Sequence, residues 1–310
     1  MSKILITGGA GFIPSALAEK LAENSTDQIV LVDNLVSGSL KKVPVSPHKN
    51  IQFIKCDVND FKDISSVFFS GKFDYVFHYA ALVGVQRTLA NPVKVLDDID
   101  GIKNILSLSK NTGVKRIYYS SSSEVYGEPV HIPQNEHTTP LNSRLPYAIV
   151  KNLGEAFLRA YHDEYGLEYT VFRFFNTYGP KQSEDFVISK FLKAATQGHD
   201  ITIYGDGAQT RTFCYIDDNT EVCEKIFRKN LHVNDVVNVG SDIEIPIIDV
   251  AQKIIEITGS TSKITHLPPL PEGDMTRRKP DITKMQAVLL RPLLPLEEGL
   301  KKIIKERRNF

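Results

Sequence analysis

The 310-residue sequence is short of cysteine, has no excess of charge of either sign and contains no long apolar run, and each shortage removes a class of protein. Its three cysteines, Cys56, Cys214 and Cys223, are odd in number and widely spaced. They make no disulfide framework and fit a reducing compartment. No pair of them has zinc-site spacing, and His131, His137 and His162 show no metal-ligand spacing either, so no metal is expected. Basic and acidic residues balance at 37 each, which argues against the positive footprint of a nucleic-acid binder. No apolar stretch approaches the roughly 18 residues that a membrane helix needs. The opening Met-Ser-Lys-Ile-Leu-Ile-Thr reaches glycine too soon for a signal peptide. Repeats and low-complexity tracts are lacking as well. The expectation is a cytoplasmic protein without nucleic-acid or membrane partners. Its length allows one large α/β domain with a smaller lobe, or two modest domains.

What the sequence does contain is an alternation. Strand-like apolar runs at 3–7, 28–33, 51–56, 74–78, 114–120 and 168–174 are separated by helical stretches at about 12–23, 63–70, 92–111 and 146–165. Strands alternating with helices imply a parallel sheet covered on both faces. Beyond 175 the pattern is less regular, with helices expected near 186–197, 218–229, 246–258 and 296–308 and short strands near 201–204 and 236–240. Residues 1–175 read as a cofactor domain and 176–310 mainly as a substrate lobe, some later segments returning to the sheet.

Gly8, Gly9 and Gly11 follow the first strand and precede a helix, the context that makes a glycine turn a dinucleotide site. Glycine lets the backbone approach a pyrophosphate, and the helix N-terminus offers unpaired N–H groups and a positive dipole end. Pro14 stands where a third small residue is usual; proline is tolerated in a first helical turn, so a slightly shifted helix is expected rather than a lost site. Asp33 closes the second strand, where a carboxylate binds ribose hydroxyls and repels a 2′-phosphate, favouring NAD over NADP. Asp57 follows the third strand and serves either the adenine edge or a helix cap.

Tyr147 and Lys151 lie four apart, on one face of a helix. A nearby ammonium stabilises a phenolate and draws its pKa from about 10 toward neutrality. Such a phenolate removes a hydroxyl proton while a hydride leaves the same carbon. That is oxidoreductase chemistry.

Together these residues resemble the extended short-chain dehydrogenases/reductases of the NAD-dependent nucleotide-sugar epimerase/dehydratase family. The resemblance runs nearly the whole length: TGGAGF at 7–12, VDNL at 32–35, CDV at 56–58, HYAA at 78–81, SSSSEVYG at 120–127, YAIVK at 147–151, RFFNTYGP at 173–180, GDGAQTRTF at 205–213 and RRKPDITK at 277–284. It implies an α/β fold, a Rossmann doubly wound parallel sheet with a smaller C-terminal α/β substrate lobe. It also implies a nucleotide-diphosphate sugar substrate, oxidised at C4 with a retained NAD, and a homodimer formed through the helices near 92–111 and 146–165. Gly8, Gly11, Phe12, Ile13, Asp33, Asn34, Asp57, Val58, Ala80 and Ala81 would then hold NAD with Tyr147 and Lys151. Tyr147 would be the base, Lys151 would lower its pKa and hold the nicotinamide ribose, and Ser122 would hydrogen-bond the reacting hydroxyl. Asn176 and Arg211 would grip the diphosphate, the latter bidentately. Tyr178, Tyr204 and Phe213 either line the nucleotide side or are ordinary core aromatics.

The second half-reaction turns on fewer residues. Glu124 stands where 4-epimerases of the family carry a small or neutral residue, and it suits a further step at C5 and C6; its alternative is a solvated acid at a strand end. Ser123 replaces the aspartic acid of deoxythymidine-type 4,6-dehydratases. Ser123-Glu124 with Arg278-Lys-Pro-Asp281 resembles nucleotide-glucuronate decarboxylases, where the arginine assists at the sugar carboxylate. The loop Ala80-Ala-Leu-Val-Gly-Val-Gln-Arg87, with Arg87 expected on the substrate, resembles that of 4-epimerases instead. Decarboxylation of a hexuronate such as UDP-glucuronate is the first expectation, with 4-epimerisation or 4,6-dehydration as alternatives and a catalytically silent NAD sensor as a distant one. His78 is expected to pack beside the cofactor crevice, and the basic tail at 301–308 to be an amphipathic closing helix. Asp100, where relatives commonly place a helix-steadying asparagine, is expected to affect how water and protons reach Lys151.

Overall fold

The protein is described here by a computed structural model covering residues 1–269 and 277–307. Leu270 and Pro271 of the proline-rich segment and Arg308 of the basic tail lie outside the described residues. The chain divides into two compact units. The first comprises Met1–Val125, Ser143–Phe174 and Thr220–Val237; the second comprises Tyr126–Asn142, Phe175–Asn219 and the described part of Asn238–Phe310.

In the first unit β1 (Lys3–Thr7), β2 (Gln28–Asp33), β3 (Ile51–Lys55), β4 (Tyr75–His78), β5 (Arg116–Ser122) and β6 (Glu168–Phe174) alternate with helices. These are α1 (Phe12–Leu21), α2 (Phe61–Gly71), α3 (Val85–Ala90), α4 (Pro92–Leu96), α5 (Asp98–Thr112) and α6 (Pro146–Tyr165). The six strands run parallel in the order β6-β5-β4-β1-β2-β3, and Asp235–Val239 extends the sheet beyond β6. The order reverses between β1 and β4, the switch point outside whose strand ends α/β sheets bind ligands. The strands are near-continuous apolar runs, as Lys-Ile-Leu-Ile-Thr in β1 shows, because helices cover both faces.

One face packs against α2, α5 and α6 through Leu5, Phe68, Val76, Ile105, Ile117 and Val150. The other carries an aromatic layer. Phe77 stacks on Tyr118 at 4.4 Å between centroids, and Phe227, from the helix Ile216–Arg228, meets Tyr75, Phe77 and Tyr118 edge-on. Arg228 anchors that segment to Asp27 and to the Leu21 carbonyl.

Two of the differences from the expected boundaries have clear local reasons. The helix expected over 92–111 divides at Asp97 into α4 and α5. Asp98 and Asp100 then occupy the first turn of α5, where the helix dipole favours acids. β5 begins two residues late because Gly113, at φ +80°, closes α5 and the Val114 N–H still bonds the Ser109 carbonyl. It then runs through the serines to pair Ser122 with Phe174, tertiary pairing overriding their weak strand propensity.

Among its described residues the second unit holds three short strand pairs: Thr177–Tyr178 with Cys214–Tyr215, Ile201–Tyr204 with Ile264–Leu267, and Thr210–Thr212 with Glu244–Pro246. The helices Val187–Thr196, Ile247–Thr258, Thr283–Leu289 and Leu296–Arg307 accompany them. No helix among the described residues is long and apolar enough to cross a membrane.

Candidate active site

The β1–α1 turn is shaped by positions where no side chain fits. Gly8 has φ +71°, and a Cβ there would stand 2.9 Å from the Ala80 backbone. A Cβ on Gly9 would meet Leu31 at 2.6 Å, and one on Gly11 would meet the Gly8 carbonyl at 2.9 Å. Helix α1 opens at Phe12 with no side-chain cap and no acid in its first turn, so the N–H groups of Phe12 and Ile13 lack intrahelical partners. Pro14 lies in that same turn, where its missing N–H costs no helical bond. The result is a narrow, electropositive cradle that fits a dinucleotide pyrophosphate.

At the end of β2, Asp33 is held by the N–H groups of Ala10 (3.1 Å) and Leu35 (2.7 Å). Gly38 permits the following loop to close over it, since a Cβ there would stand 2.6 Å from its Oδ1. Asn34 donates to Asp57 Oδ2 (3.0 Å), and Asp57 Oδ1 accepts from the Asn59 N–H, so Asp57 braces the loop and Val58 is buried beside it. Lys42, on a 3-10 turn after β2, is pulled below its ordinary pKa by burial and feels both Asp33 and Arg87. Arg87 itself donates Nη1 to the Val83 carbonyl at 3.1 Å.

Under the cradle, Thr7 and His78 form a closed set. Thr7 Oγ1 accepts the N–H groups of Tyr79 and Ala80, which leaves its hydroxyl proton for His78 Nδ1 at 2.8 Å. His78 therefore carries its proton on Nε2. Burial, with Lys151 adding repulsion, lowers its pKa to about 3, so it stays neutral and has no role as a base. Ala80 and Ala81 follow Tyr79, and the Ala80 backbone stands against Gly8.

Helix α6 starts at Pro146, an N1 residue with φ set for a helix, and carries Tyr147, Lys151 and Glu155 at successive four-residue steps. Lys151 is 3% exposed. Its Nζ donates to the Ser120 carbonyl (2.7 Å) and reaches Ser120 Oγ (3.4 Å). The same ammonium lies 5.8 Å from the Tyr147 ring centroid and 5.0 Å from that of Tyr119. Burial pulls its pKa down to about 8, partly opposed by Asp98. It is still mostly cationic at neutral pH, as a phenolate-stabilising group must be.

Tyr119 and Ser121 alternate on the α6-facing side of β5. Ser121 Oγ donates to Glu155 at 2.6 Å, and Glu155 pairs with Arg173 of β6 at 2.7 Å, both fully buried. At the strand end, Ser122 Oγ accepts at 3.2 Å the N–H of Glu124 in the following 3-10 turn, leaving its own proton to donate. Ser123 is buried in the same turn.

In the second unit, Asn176 has φ +29°, and its Nδ2 is buried without a hydrogen-bond partner among the described residues. An amide donor left so is costly unless a ligand takes it up. Arg211 and Arg278 are both buried, and Arg211 Nη1 donates to the Thr210 carbonyl. Of the three aromatics weighed for the nucleotide, Tyr178 and Phe213 are core: Tyr178 packs against Phe213 and Tyr215, with its hydroxyl against Gly299. Tyr204 is only half-buried, with Lys190 5.4 Å above its ring.

One expectation is overturned. Asp100 does not bear on Lys151; its side chain is 64% exposed and pairs with Lys103 at 3.3 Å. The acid that acts on Lys151 is Asp98, two residues earlier and turned inward to accept the Leu82 N–H at 2.8 Å. Asp98 and Glu155 both escaped sequence reasoning. The four-residue step from Lys151 to Glu155 was the available signal for the second; for the first there was only an acid in a first turn.

The family model described as "NAD dependent epimerase/dehydratase family" matches residues 4–240. UDP-N-acetyl-alpha-D-glucosaminuronate decarboxylase of Bacillus cytotoxicus is 35% identical over 99% of this chain and 98% of its own. UDP-glucuronic acid decarboxylase 1 of Danio rerio is 36% identical over 98% of this chain and 72% of its own. The crystal structure of UDP-glucose 4-epimerase from Thermotoga maritima superposes with a TM-score of 0.91 at 32% identity, covering 99% of both chains.

Proposed function

The chain belongs to the NAD-dependent epimerase/dehydratase family, and from that premise we propose that it decarboxylates a nucleoside-diphosphate hexuronate such as UDP-glucuronate. The observation that carries this reading is the turn after β5, where the Glu124 N–H bonds the hydroxyl of Ser122, the residue we assign to the reacting hydroxyl. Two relatives that span nearly all of this chain, both named as decarboxylases of UDP-linked uronates, support it.

When bound, NAD would supply a reversible acceptor for the C4 hydride of the sugar. The Tyr147 phenolate takes the O4 proton as that hydride leaves, Lys151 stabilises the phenolate, and Ser122 donates to O4 to hold it in line. The resulting 4-ketone is β to the C6 carboxylate. The C5–C6 bond then breaks, carbon dioxide leaves, and the electron pair flows into the C4 carbonyl before C5 is protonated. Arg278 orients the carboxylate, Glu124 serves the C5 and C6 side, and Asn176 and Arg211 hold the diphosphate. Arg87 and Tyr204 complete the substrate contacts. Gly8, Gly11, Phe12, Ile13, Asp33, Asn34, Asp57, Val58, Ala80 and Ala81 hold NAD with Tyr147 and Lys151. In this assignment the first unit is the cofactor domain and the second the nucleotide-sugar lobe of a cytoplasmic enzyme.

Epimerisation at C4 is the second reading. The proline-free loop at 80–87 favours it, and the Thermotoga maritima epimerase supports it. Incubation with NAD and a panel of UDP-, dTDP- and GDP-sugars separates the outcomes. Carbon dioxide from UDP-glucuronate is expected; a C4 epimer or a 4-keto-6-deoxy product without gas release would replace the decarboxylase reading. Tyr147→Phe is expected to lower turnover by about 10²–10⁴-fold while leaving NAD binding intact.

We also infer a homodimer. Val93 and Leu96 of α4 and Ile149 of α6 are 74%, 42% and 46% exposed, apolar positions on two helices that pack together. A matching face on a second copy would cover them.

A further inference from the structure

Arg211 and Arg278 stand in different stretches of the second unit, and one carboxylate is bonded to the residue that precedes each of them. Glu244 Oε1 accepts from Thr210 Oγ1 at 3.0 Å. The same carboxylate takes the Arg277 fork, Nε to Oε1 at 2.9 Å and Nη2 to Oε2 at 2.7 Å. Two N–H donors on one carboxylate fix an orientation that a single contact does not. Arg277 holds the Glu244 carboxyl below its ordinary range, so the pair is ionised at neutral pH.

The arginines that follow turn the other way. In the ladder that joins Thr210–Thr212 to Glu244–Pro246, Glu244 is opposite Thr212 and Ile245 is opposite Arg211. Successive side chains point to opposite faces of a strand, so Arg211 leaves the ladder on the side away from Thr210 and Glu244. The Arg277 side chain is likewise 51% exposed, whereas Arg278 is buried. The stretch after Arg278 has its own anchor. There the Gln134 N–H bonds the Lys279 carbonyl at 2.7 Å, and the Asp281 N–H bonds the Gln134 carbonyl at 2.8 Å. Glu244 supplies the hold on the other side of Arg278 and ties it to the strand that carries Arg211.

We propose that Glu244 is a positioning residue: through Thr210 and Arg277 it sets Arg211 and Arg278 relative to each other, and so sets the affinity for an anionic sugar nucleotide. This role rests on the reading of Arg211 as a diphosphate ligand and Arg278 as the ligand of the sugar carboxylate. An ion pair half exposed to water contributes little to folding, so breaking it leaves a folded protein and shows its effect in the placing of the arginines. The same small worth bounds that effect, at about three- to fivefold in a dissociation constant.

The test is calorimetric titration of the full chain, loaded with NAD, by UDP-glucuronate and by UDP-glucose. Glu244→Gln and Arg277→Met are each expected to weaken UDP-glucuronate about three- to fivefold and UDP-glucose less than about twofold. The double variant should be no weaker than either single one, because both break the same pair. Glu256→Gln, which breaks an exposed pair with Lys253 in the same unit, is the control and should change neither sugar. Equal weakening of the two sugars in the Glu244 and Arg277 variants keeps Glu244 in its role but moves Arg278 to the diphosphate, so the carboxylate assignment fails and the positioning stands. Unchanged affinity for both sugars, or equal weakening in the control, overturns the proposal. A ligand-free readout makes the outcome independent of which nucleotide is bound. The Arg278 Nε–H signal of ¹⁵N-arginine-labelled protein, assigned with Arg278→Lys, should exchange with water about threefold faster or more in both variants. An unchanged exchange rate overturns the proposal as well.

Discussion

At the scale of a residue, Lys151 works against its own solvation. Burial costs the charged form more than its two hydrogen bonds return, which is why its pKa falls from 10.5 to about 8. The folded chain therefore holds this proton less tightly than the unfolded chain does. Between about pH 8 and the ordinary lysine value the unfolded state binds more protons, so this group makes stability rise with pH across that window and weigh against folding below it. Lys151→Met is accordingly expected to abolish turnover and raise stability at pH 7 by about 1–3 kcal/mol, read by urea unfolding. A loss of stability would show that the bonds to Ser120 outweigh the buried charge. The Tyr147–Lys151 step was legible because it depends on residue type and near spacing, whereas Ser122 was named only by the family resemblance. Asp98 was not, because nothing in a run of three acids at 97, 98 and 100 tells which one turns inward.

At the scale of an element, α6 is held to β5 and β6 by polar groups as well as by its apolar face. A Cβ on Gly154 would meet the Tyr119 hydroxyl at 2.2 Å, so the helix lies close enough to the strand for Lys151 to reach the Ser120 carbonyl. One turn on, Glu155 bridges Ser121 and Arg173. Removing one partner of a buried pair strands the other charge. Glu155→Ala is expected to cost about 3–5 kcal/mol, measured by chemical denaturation, whereas the joint replacement Glu155→Leu with Arg173→Met should recover most of that loss. Gly154→Ala should cost about 1–3 kcal/mol by overpacking and lower turnover through the displaced lysine. The extent of α6 was readable from Pro146 to Gly166 because both ends carry their own stop signals. The split of α4 from α5 was not, since apolar periodicity continues across Asp97.

At the scale of the whole molecule, α4 and α6 leave Val93, Leu96 and Ile149 exposed among the described residues. If they form the dimer face, Val93→Glu together with Ile149→Glu should yield a folded monomer by sedimentation equilibrium, with the Tyr147–Lys151 pair intact. A dimer of unchanged affinity would place the interface elsewhere. The sequence by itself determined the alternating strands and helices, the glycine turn and the Tyr147–Lys151 step, because each follows from steric or periodic rules acting over a few residues. Only the tertiary structure decided that Asp98 rather than Asp100 turns inward to the Leu82 N–H, that Glu155 is matched by Arg173, and that Tyr178 is core. Those outcomes depend on burial and on charges far apart in the chain, and neither is written into a local pattern.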